Sequence, residues 1–248
     1  MNKYVKALLG ASASAMTGVI AVFGFWNSAV KALPENFTVT AHTGCEDTAD
    51  NSLEAISAGI AAGADIVEFD LRFDSEGKGI LSHDEGAENP VTLEEALNLV
   101  AENDIVKVNV DCKTIDNLRE VYRIGESYGI TDRLFYTGIE EKNVSGVREQ
   151  TPELSYFLNY SPDAKKKNDE QYIKELISLI KEKGAVGLNV RYTNCSKKMV
   201  EMLREEGLMV SVWTANDVLA MVKCVSLSPD NITTRFPTAL LKMINSVK

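Results

Sequence analysis

The sequence contains little histidine and cysteine and has no excess of basic residues. Two of its 248 residues are histidines and four are cysteines, and 26 Lys and Arg stand against 36 Asp and Glu, for a formal net charge of −10. This balance argues against a protein that binds nucleic acid through a broad basic surface. The cysteines are too few for a disulfide-built scaffold and form no Cys-x-x-Cys pair. Free buried thiols and any of three disulfide pairings stay open for Cys45, Cys112, Cys195 and Cys224.

The first 32 residues differ in composition from the rest of the chain. Lys3 and Lys6 precede an uncharged stretch from Ala7 to Trp26. A basic start followed by an apolar stretch is typical of a signal peptide, and this stretch is also long enough to span a bilayer as a helix. We expect residues 1–32 to be a signal peptide or a membrane anchor, with a hydrophobic helix over residues 7–26 that allows membrane association. In both cases the remainder is expected outside the cytoplasm, secreted or anchored.

From residue 37 onward, short β-branched runs alternate with amphipathic stretches. Strands are predicted at Thr38–His42, Asp65–Phe73, Gly79–His83, Lys107–Lys113, Leu134–Thr137, Leu154–Asn159, Val186–Val190, Met209–Thr214 and Asn231–Thr234. Helices are predicted at Ser52–Ala62, Thr92–Ala101, Ile115–Tyr128, Asp169–Lys183 and Ser196–Glu206. About eight βα units over residues 37–248 predict a single-domain (β/α)8 TIM barrel of the α/β class. The competing fold is an open doubly wound sheet. It is not supported by a Gly-x-Gly-x-x-Gly motif, because none follows the first strand.

Both histidines, His42 and His83, stand at the carboxyl ends of predicted strands. In a parallel barrel, this end carries the catalytic residues. Two of two histidines at one face therefore favour a catalytic role over a structural one.

Three carboxylates are predicted to converge at the same face. Glu68 and Asp70 lie two residues apart on one strand, so both side chains point to one side, with Arg72 beside them. Asp111 and Lys113 repeat this pattern on a later strand. Converging carboxylates repel one another unless a cation or a proton lies between them, and three oxygen ligands favour one divalent cation, Mg²⁺ or Ca²⁺. Ion pairs with the neighbouring basic residues are the alternative interpretation.

Several ordered motifs between about residues 38 and 240 resemble those of one enzyme family. They are Ala41-His42-Thr43-Gly44, Asp50-Asn51-Ser52, the run from Gly63 to Asp70, Ser82-His83-Asp84, Val110-Asp111-Cys112-Lys113, Trp213-Thr214, and the run from Asn231 to Pro237. The residue types of these motifs and their order along the chain are similar to those of the glycerophosphodiester phosphodiesterase family, within the wider group of phosphatidylinositol-phospholipase-C-like barrels. That family has the same barrel fold that the alternation of strands and helices predicts.

The resemblance implies roles for individual residues. It implies that His42 and His83 act as the acid–base pair and that Lys113 contacts phosphate. It also implies that Glu68, Asp70 and Asp111 hold the metal and that Trp213 contacts substrate. The implied reaction is the metal-dependent hydrolysis of a glycerophosphodiester to an alcohol and glycerol phosphate. The partner would be a small glycerophosphodiester or a lipid head group.

Three positions depart from the family pattern. Thr43 replaces the arginine that follows the first histidine, and Arg72 is predicted to bind phosphate in its stead. Asp111 replaces a glutamate, and Arg235 replaces an aspartate. Two alternatives therefore stay open: a phospholipase-D-like lyase on intact (lyso)phospholipids, which Asp111 favours slightly, and a non-catalytic phosphate- or lipid-binding barrel, which Thr43 favours.

Overall fold

A computed structural model of the chain describes residues 24–247, which form a barrel surrounded by helices. Its strands are β1 (Thr38–Ala41), β2 (Ile66–Phe73), β3 (Gly79–Leu81), β4 (Lys107–Cys112), β5 (Leu134–Ile139), β6 (Ser155–Asn159), β7 (Gly187–Arg191), β8 (Met209–Trp213) and β9 (Asn231–Thr234). All except β3 run parallel, and β1 pairs with both β9 and β2, which closes the barrel. The predicted TIM barrel is confirmed.

The helices lie in the connections between the strands. They are α1 (24–31), α2 (Leu53–Ala61), α3 (Leu93–Ala101), α4 (Leu118–Ser127), α5 (Val144–Gln150), α6 (Glu170–Lys183), α7 (Lys197–Glu205), α8 (Val218–Leu227) and α9 (Pro237–Asn245). Side-chain caps mark several starts. Ser52 accepts from the Ala55 amide, and Thr92 forms a capping box with Glu95. The predicted helix at Ile115 begins three residues later, at Leu118.

The strand β3 lies outside the barrel. It pairs antiparallel with the end of β2, where Arg72 stands opposite Ile80. The prediction that His83 ends a barrel strand is therefore wrong, because β3 belongs to a hairpin. The hairpin nevertheless returns the chain to the barrel mouth: the Ser82 amide donates to the Asp70 carbonyl at 3.0 Å, and His83 lines the cavity there.

The two faces of each barrel strand carry different residues. On β2, Val67, Phe69 and Leu71 are almost completely buried and join the hydrophobic core. Between them, Glu68 and Asp70 point into the barrel mouth. The apolar core accordingly lies between strands and helices, where each large buried side chain contributes roughly 1.5–3 kcal/mol. Polar groups face the mouth.

Packing against the barrel begins before residue 37. The Trp26 indole Nε1 donates to the Met243 carbonyl in α9 at 3.2 Å, and Val30 is buried in the main core. Residues 1–23, which include most of the predicted signal peptide or anchor, lie outside the described residues. None of the helices found in residues 24–247 has the length and apolar character that a membrane crossing requires. The expected location outside the cytoplasm stays a prediction.

All four cysteines are buried free thiols in this structure. Burial raises the pKa of Cys45 to about 11 and that of Cys195 to about 12. They therefore act as small apolar side chains of the core.

Candidate active site

A cavity of about 450 Å³ opens at the carboxyl ends of the barrel strands. It contains all the predicted site residues except Arg72, namely His42, Glu68, Asp70, His83, Asp111, Lys113 and Trp213. A second cavity, of about 600 Å³, lies at the amino ends of the strands and is lined by neither histidine and by none of the three carboxylates. The chemistry is therefore assigned to the first cavity, on the face where barrel enzymes carry their active sites.

Three carboxylates meet in this cavity. Oxygens of Glu68, Asp70 and Asp111 all lie within 4.8 Å of one another, because Asp70 on β2 stands in register with Asp111 on β4. Glu68 is only 6% exposed. Burial, and then the charges of Asp70 and Asp111, raise the pKa of Glu68 well above its usual range. A cation at this point would offset that repulsion.

Short hydrogen bonds orient the carboxylates. The Thr43 amide donates to Glu68 Oε2 at 2.8 Å. Asn51 binds Asp70 twice: its Nδ2 donates to Asp70 Oδ2, and its Oδ1 accepts from the Asp70 amide, both at 2.9 Å. Thr137 Oγ1 donates to Asp111 Oδ1 at 2.7 Å. Such outer contacts fix the rotamers that a metal site requires.

Gly138 allows β5 to pass close to Asp111. Its φ is +76°, and a Cβ there would lie 2.4 Å from the Cys112 carbonyl oxygen and 3.0 Å from Asp111 Oδ1. Its amide donates to Asn159 Oδ1 at 2.9 Å. A side chain at position 138 would therefore displace both β4 and its carboxylate.

Lys113 lies between two of the acids. Its Nζ is 2.9 Å from Asp70 Oδ1 and 2.5 Å from Asp111 Oδ2. Burial lowers the pKa of Lys113, but the Asp111 and Asp70 carboxylates outweigh that effect, and the net pKa is raised. The ion-pair interpretation thus holds for two of the carboxylates. Among residues 24–247, no basic side chain pairs with Glu68.

The two histidines differ in environment. His42 is half-buried, and its Nδ1 lies 3.0 Å from the Thr43 carbonyl, which can only accept. Nδ1 therefore carries the proton, and Nε2 is the basic atom of the neutral ring. Burial lowers the pKa of His42 below 6.5. The His83 side chain is 66% exposed, with Nδ1 2.9 Å from Asp84 Oδ1.

Arg72 lies outside the lining of the cavity and contacts only the backbone of one predicted site residue, His83. Its Nε donates to the His83 carbonyl at 3.0 Å, and its Nη1 lies 3.6 Å from Glu85 Oε1. The β2 strand has passed the barrel rim at this point, so the side chain meets the hairpin instead of the cavity. In this position Arg72 supports the loop that carries His83, and its phosphate-binding role stays a prediction.

Two arginines that were not predicted as binding residues line the cavity. Arg235 lies 2.7 Å through Nη2 from Asp50 Oδ1, and its backbone amide donates to Asn216 Oδ1 at 3.0 Å. Arg191 ends β7, with its guanidinium carbon 5.2 Å from the centre of the Trp213 ring. Arg191 belongs to none of the motifs, and Arg235 lies in one of them only as a departure from the family pattern; their place at or just after the ends of predicted strands is a signal that could have found both.

Comparisons with known proteins identify the family of this chain and agree with its fold. The model of the Glycerophosphoryl diester phosphodiesterase family matches residues 35–99 and 87–239. A glycerophosphodiester phosphodiesterase of Caldanaerobacter subterraneus subsp. tengcongensis is 24% identical over 235 residues, which cover 83% of this chain and 97% of that protein.

Solved structures share the fold at low sequence identity. The crystal structure of a putative glycerophosphoryl diester phosphodiesterase from Agrobacterium tumefaciens has a TM-score of 0.71 at 16% identity, covering 85% of this chain and 98% of that one. A phosphodiesterase of Oleispira antarctica, solved in complex with the product sn-glycerol-3-phosphate, has a TM-score of 0.69 at 16% identity, covering 88% and 99%. Since the two family-model matches together span residues 35–239, nearly the whole barrel, the chain belongs to the glycerophosphoryl diester phosphodiesterase family.

Proposed function

We propose that the protein hydrolyses glycerophosphodiesters to an alcohol and glycerol phosphate, with one divalent cation and histidine acid–base catalysis. The observation that carries the proposal is the convergence of three carboxylates, within 4.8 Å, in the cavity that both histidines line. Family membership supports the reaction class. The relative from Oleispira antarctica, with its bound sn-glycerol-3-phosphate, supports the product.

The carboxylates fit a hard divalent cation. Glu68, Asp70 and Asp111 offer oxygen donors and no sulfur, which suits Mg²⁺ or Ca²⁺. The single cationic neighbour, Lys113, pairs with Asp70 and Asp111, so that in the described part of the chain the buried Glu68 carboxyl has the Thr43 amide as a hydrogen-bond donor but no basic partner. When bound, the cation would neutralise charge on the non-bridging phosphate oxygens.

The two histidines are suited to opposite proton transfers. His42 has a lowered pKa and a free Nε2, so its neutral ring accepts a proton from the attacking water at neutral pH. His83 lies at the exposed edge of the cavity, where Asp84 accepts a hydrogen bond from its ring and orients it. From there it donates a proton to the departing alcohol oxygen.

Lys113 and Arg235 supply fixed positive charge for the phosphate. Each is held by carboxylates, Lys113 by Asp70 and Asp111 and Arg235 by Asp50. Donors that are already held in place need little reorganisation when negative charge develops in the transition state. Arg235 takes the role that the sequence prediction gave to Arg72.

A chelation assay tests the proposal. Glycerol phosphate release from a glycerophosphodiester is measured with added Mg²⁺ or Ca²⁺, after removal of metal with EDTA, and after readdition. We expect loss and recovery of turnover. Activity that survives exhaustive chelation would overturn the metal requirement, and absence of turnover together with binding of glycerol phosphate would favour the non-catalytic barrel. A cyclic phosphate formed from lysophospholipid, seen by phosphorus NMR, would favour the lyase.

We further propose that this barrel works outside the cytoplasm. Lys3 and Lys6 before the apolar stretch of residues 7–26 support that orientation. A carboxyl-terminal fusion to alkaline phosphatase, which is active only after export, is expected to be active. An inactive phosphatase fusion beside an active cytoplasmic β-galactosidase fusion would contradict this location.

A further inference from the structure

The wall of the cavity opposite the carboxylates carries Arg191 and Trp213. In the closed eight-stranded barrel, β7 lies four strands from β2, and β8 lies four strands from β4. Arg191 therefore faces the side of Glu68 and Asp70 across the mouth, and Trp213 faces the side of Asp111. A substrate whose phosphate lies at the carboxylate side would direct one of its two phosphate substituents toward Arg191 and Trp213, and the subsite proposed below requires this to be the head-group alcohol.

The Arg191 guanidinium lies over the Trp213 ring. The two residues are register partners on adjacent strands, and the 5.2 Å separation is within cation–π range. An indole face is the surface that binds a quaternary ammonium in aromatic cages. Here a guanidinium already lies there, so a substrate ammonium on this ring would meet a like charge.

The charge of Arg191 is not balanced by the protein. The cavity has two other lysine or arginine side chains, Lys113 and Arg235, and both are paired with carboxylates. Within residues 24–247, no carboxylate lies within ion-pair distance of Arg191. The residues beside it are neutral amides that bind each other, since Asn189 Nδ2 donates to Asn159 Oδ1 at 3.0 Å. The guanidinium donors are thus available to a ligand.

On the basis of the proposed function, we propose that Arg191 and Trp213 form a head-group subsite that selects glycerophosphodiesters whose alcohol carries a carboxylate. A planar guanidinium binds a carboxylate through two parallel hydrogen bonds, and Trp213 holds the guanidinium in place. The same arrangement selects against a head group whose charge is a quaternary ammonium alone. The cavity, at about 450 Å³, has the size of a small-molecule site.

Two substrates that differ by one carboxylate test this subsite. Glycerophosphoserine differs from glycerophosphoethanolamine only by its carboxylate. In glycerophosphocholine, a quaternary ammonium replaces the primary ammonium of the ethanolamine diester. We expect kcat/KM for the serine diester to exceed that for the ethanolamine diester by about tenfold or more, the value of one charged hydrogen-bonded pair. Glycerophosphocholine is expected to be the poorest of the three.

Variants of position 191 separate head-group binding from phosphate binding. Arg191→Gln is expected to bring the serine-to-ethanolamine ratio of kcat/KM close to one through a loss on the serine diester, because the carboxylate contact is lost, whereas the ethanolamine diester loses only a like charge and is not expected to become a poorer substrate. Arg191→Lys keeps the charge without the planar fork and should give an intermediate ratio. Arg123→Gln, an exposed arginine of α4 outside the cavity, is the matched control and should leave the ratio unchanged.

The outcomes distinguish this subsite from the reaction itself. An equal loss on all three diesters in Arg191→Gln would place the guanidinium on the phosphate and overturn the head-group subsite. Wild-type preference for the ethanolamine or choline diester would also overturn it, while leaving the hydrolysis intact. Absence of turnover on every diester, in a folded protein loaded with Mg²⁺ or Ca²⁺, would overturn the proposed function and the subsite together.

Discussion

The two halves of the barrel mouth are built in different ways. On β2 and β4, the acidic side chains are buried or largely buried and are held by backbone and side-chain hydrogen bonds, as Glu68 is by the Thr43 amide. On β7 to β9 and just beyond, Arg191 and Arg235 reach the cavity with long side chains that keep partial or full exposure. The acidic half therefore tolerates little change in geometry, whereas the basic half can be altered with much smaller effects on the chemical step. Substitutions on each side can test this difference.

The largest effect is expected from the acidic half, in Asp111→Ala. Loss of one of three converging carboxylates should reduce turnover by about 10³-fold or more, because the charge that holds the cation is lost. Excess Mg²⁺ or Ca²⁺ should not restore it. The measurement is a metal titration of glycerol phosphate release.

Asp104→Asn is the control for that experiment, since Asp104 is an exposed carboxylate in the loop before β4. It should retain wild-type turnover. Recovery of Asp111→Ala at high metal concentration would show that two carboxylates suffice, and the rigidity assigned to this half would be wrong.

The next largest effect is expected at the histidines. His42→Ala and His83→Ala should each lower kcat by about 10²–10⁴-fold, the range for a positioned proton-transfer group. Thermal unfolding should change little in His83→Ala, because that side chain is 66% exposed. If His83→Ala keeps near-normal turnover, the general acid lies elsewhere in the mouth.

A smaller effect is expected in the basic half, where Arg235→Gln is compared with Arg72→Gln at the end of β2 on the other side of the mouth. Arg235 lines the cavity, so its loss should raise KM by about tenfold through one charged phosphate contact. Arg72 holds the His83 carbonyl, so its loss should lower kcat modestly and leave KM within about twofold. Steady-state kinetics on one diester decides this. The reverse pattern would restore Arg72 as the phosphate ligand.

The smallest effect concerns stability. Burial lowers the pKa of His42, so the unfolded chain binds more protons than the folded chain between that lowered pKa and about 6.5. The free energy of unfolding should therefore rise with pH across this window, by at most about 1.4 kcal/mol per pH unit from this group, and then level off. Urea denaturation in EDTA compares wild type with His42→Gln, which should lack this rise. If the free energy of unfolding changes with pH in the same way in both proteins, the lowered pKa assigned to His42 is wrong.

Local patterns in the sequence predicted most of the acidic half. Alternation on β2 places Val67 and Phe69 in the core and Glu68 and Asp70 in the mouth, and this follows from the pleat of a single strand. The βα rhythm likewise predicts the barrel, because each glycine-ended helix and β-branched run is a local signal.

Features that depend on distant pairing could not be predicted in this way. Alternation predicts that Arg72 lies on the same face of β2 as Asp70. It does not predict where along β2 the barrel ends, because that point depends on the pairing of β2 with β3. Arg191 lies in no motif and reaches the site only because β9 closes against β1. Contacts between residues far apart in sequence decide both cases.

The alternation of core and mouth residues on β2 also decides which insertions and deletions the gene can accept. Removing one residue ahead of Glu68 would shift the strand by one position and turn Val67 and Phe69 toward the mouth, with both acids toward the helices. Catalysis and folding would fail together, as a single event. The exposed loop residues 86–89 bear no such coupling, so changes in length can accumulate there and remodel the entrance to the cavity while the barrel stays intact.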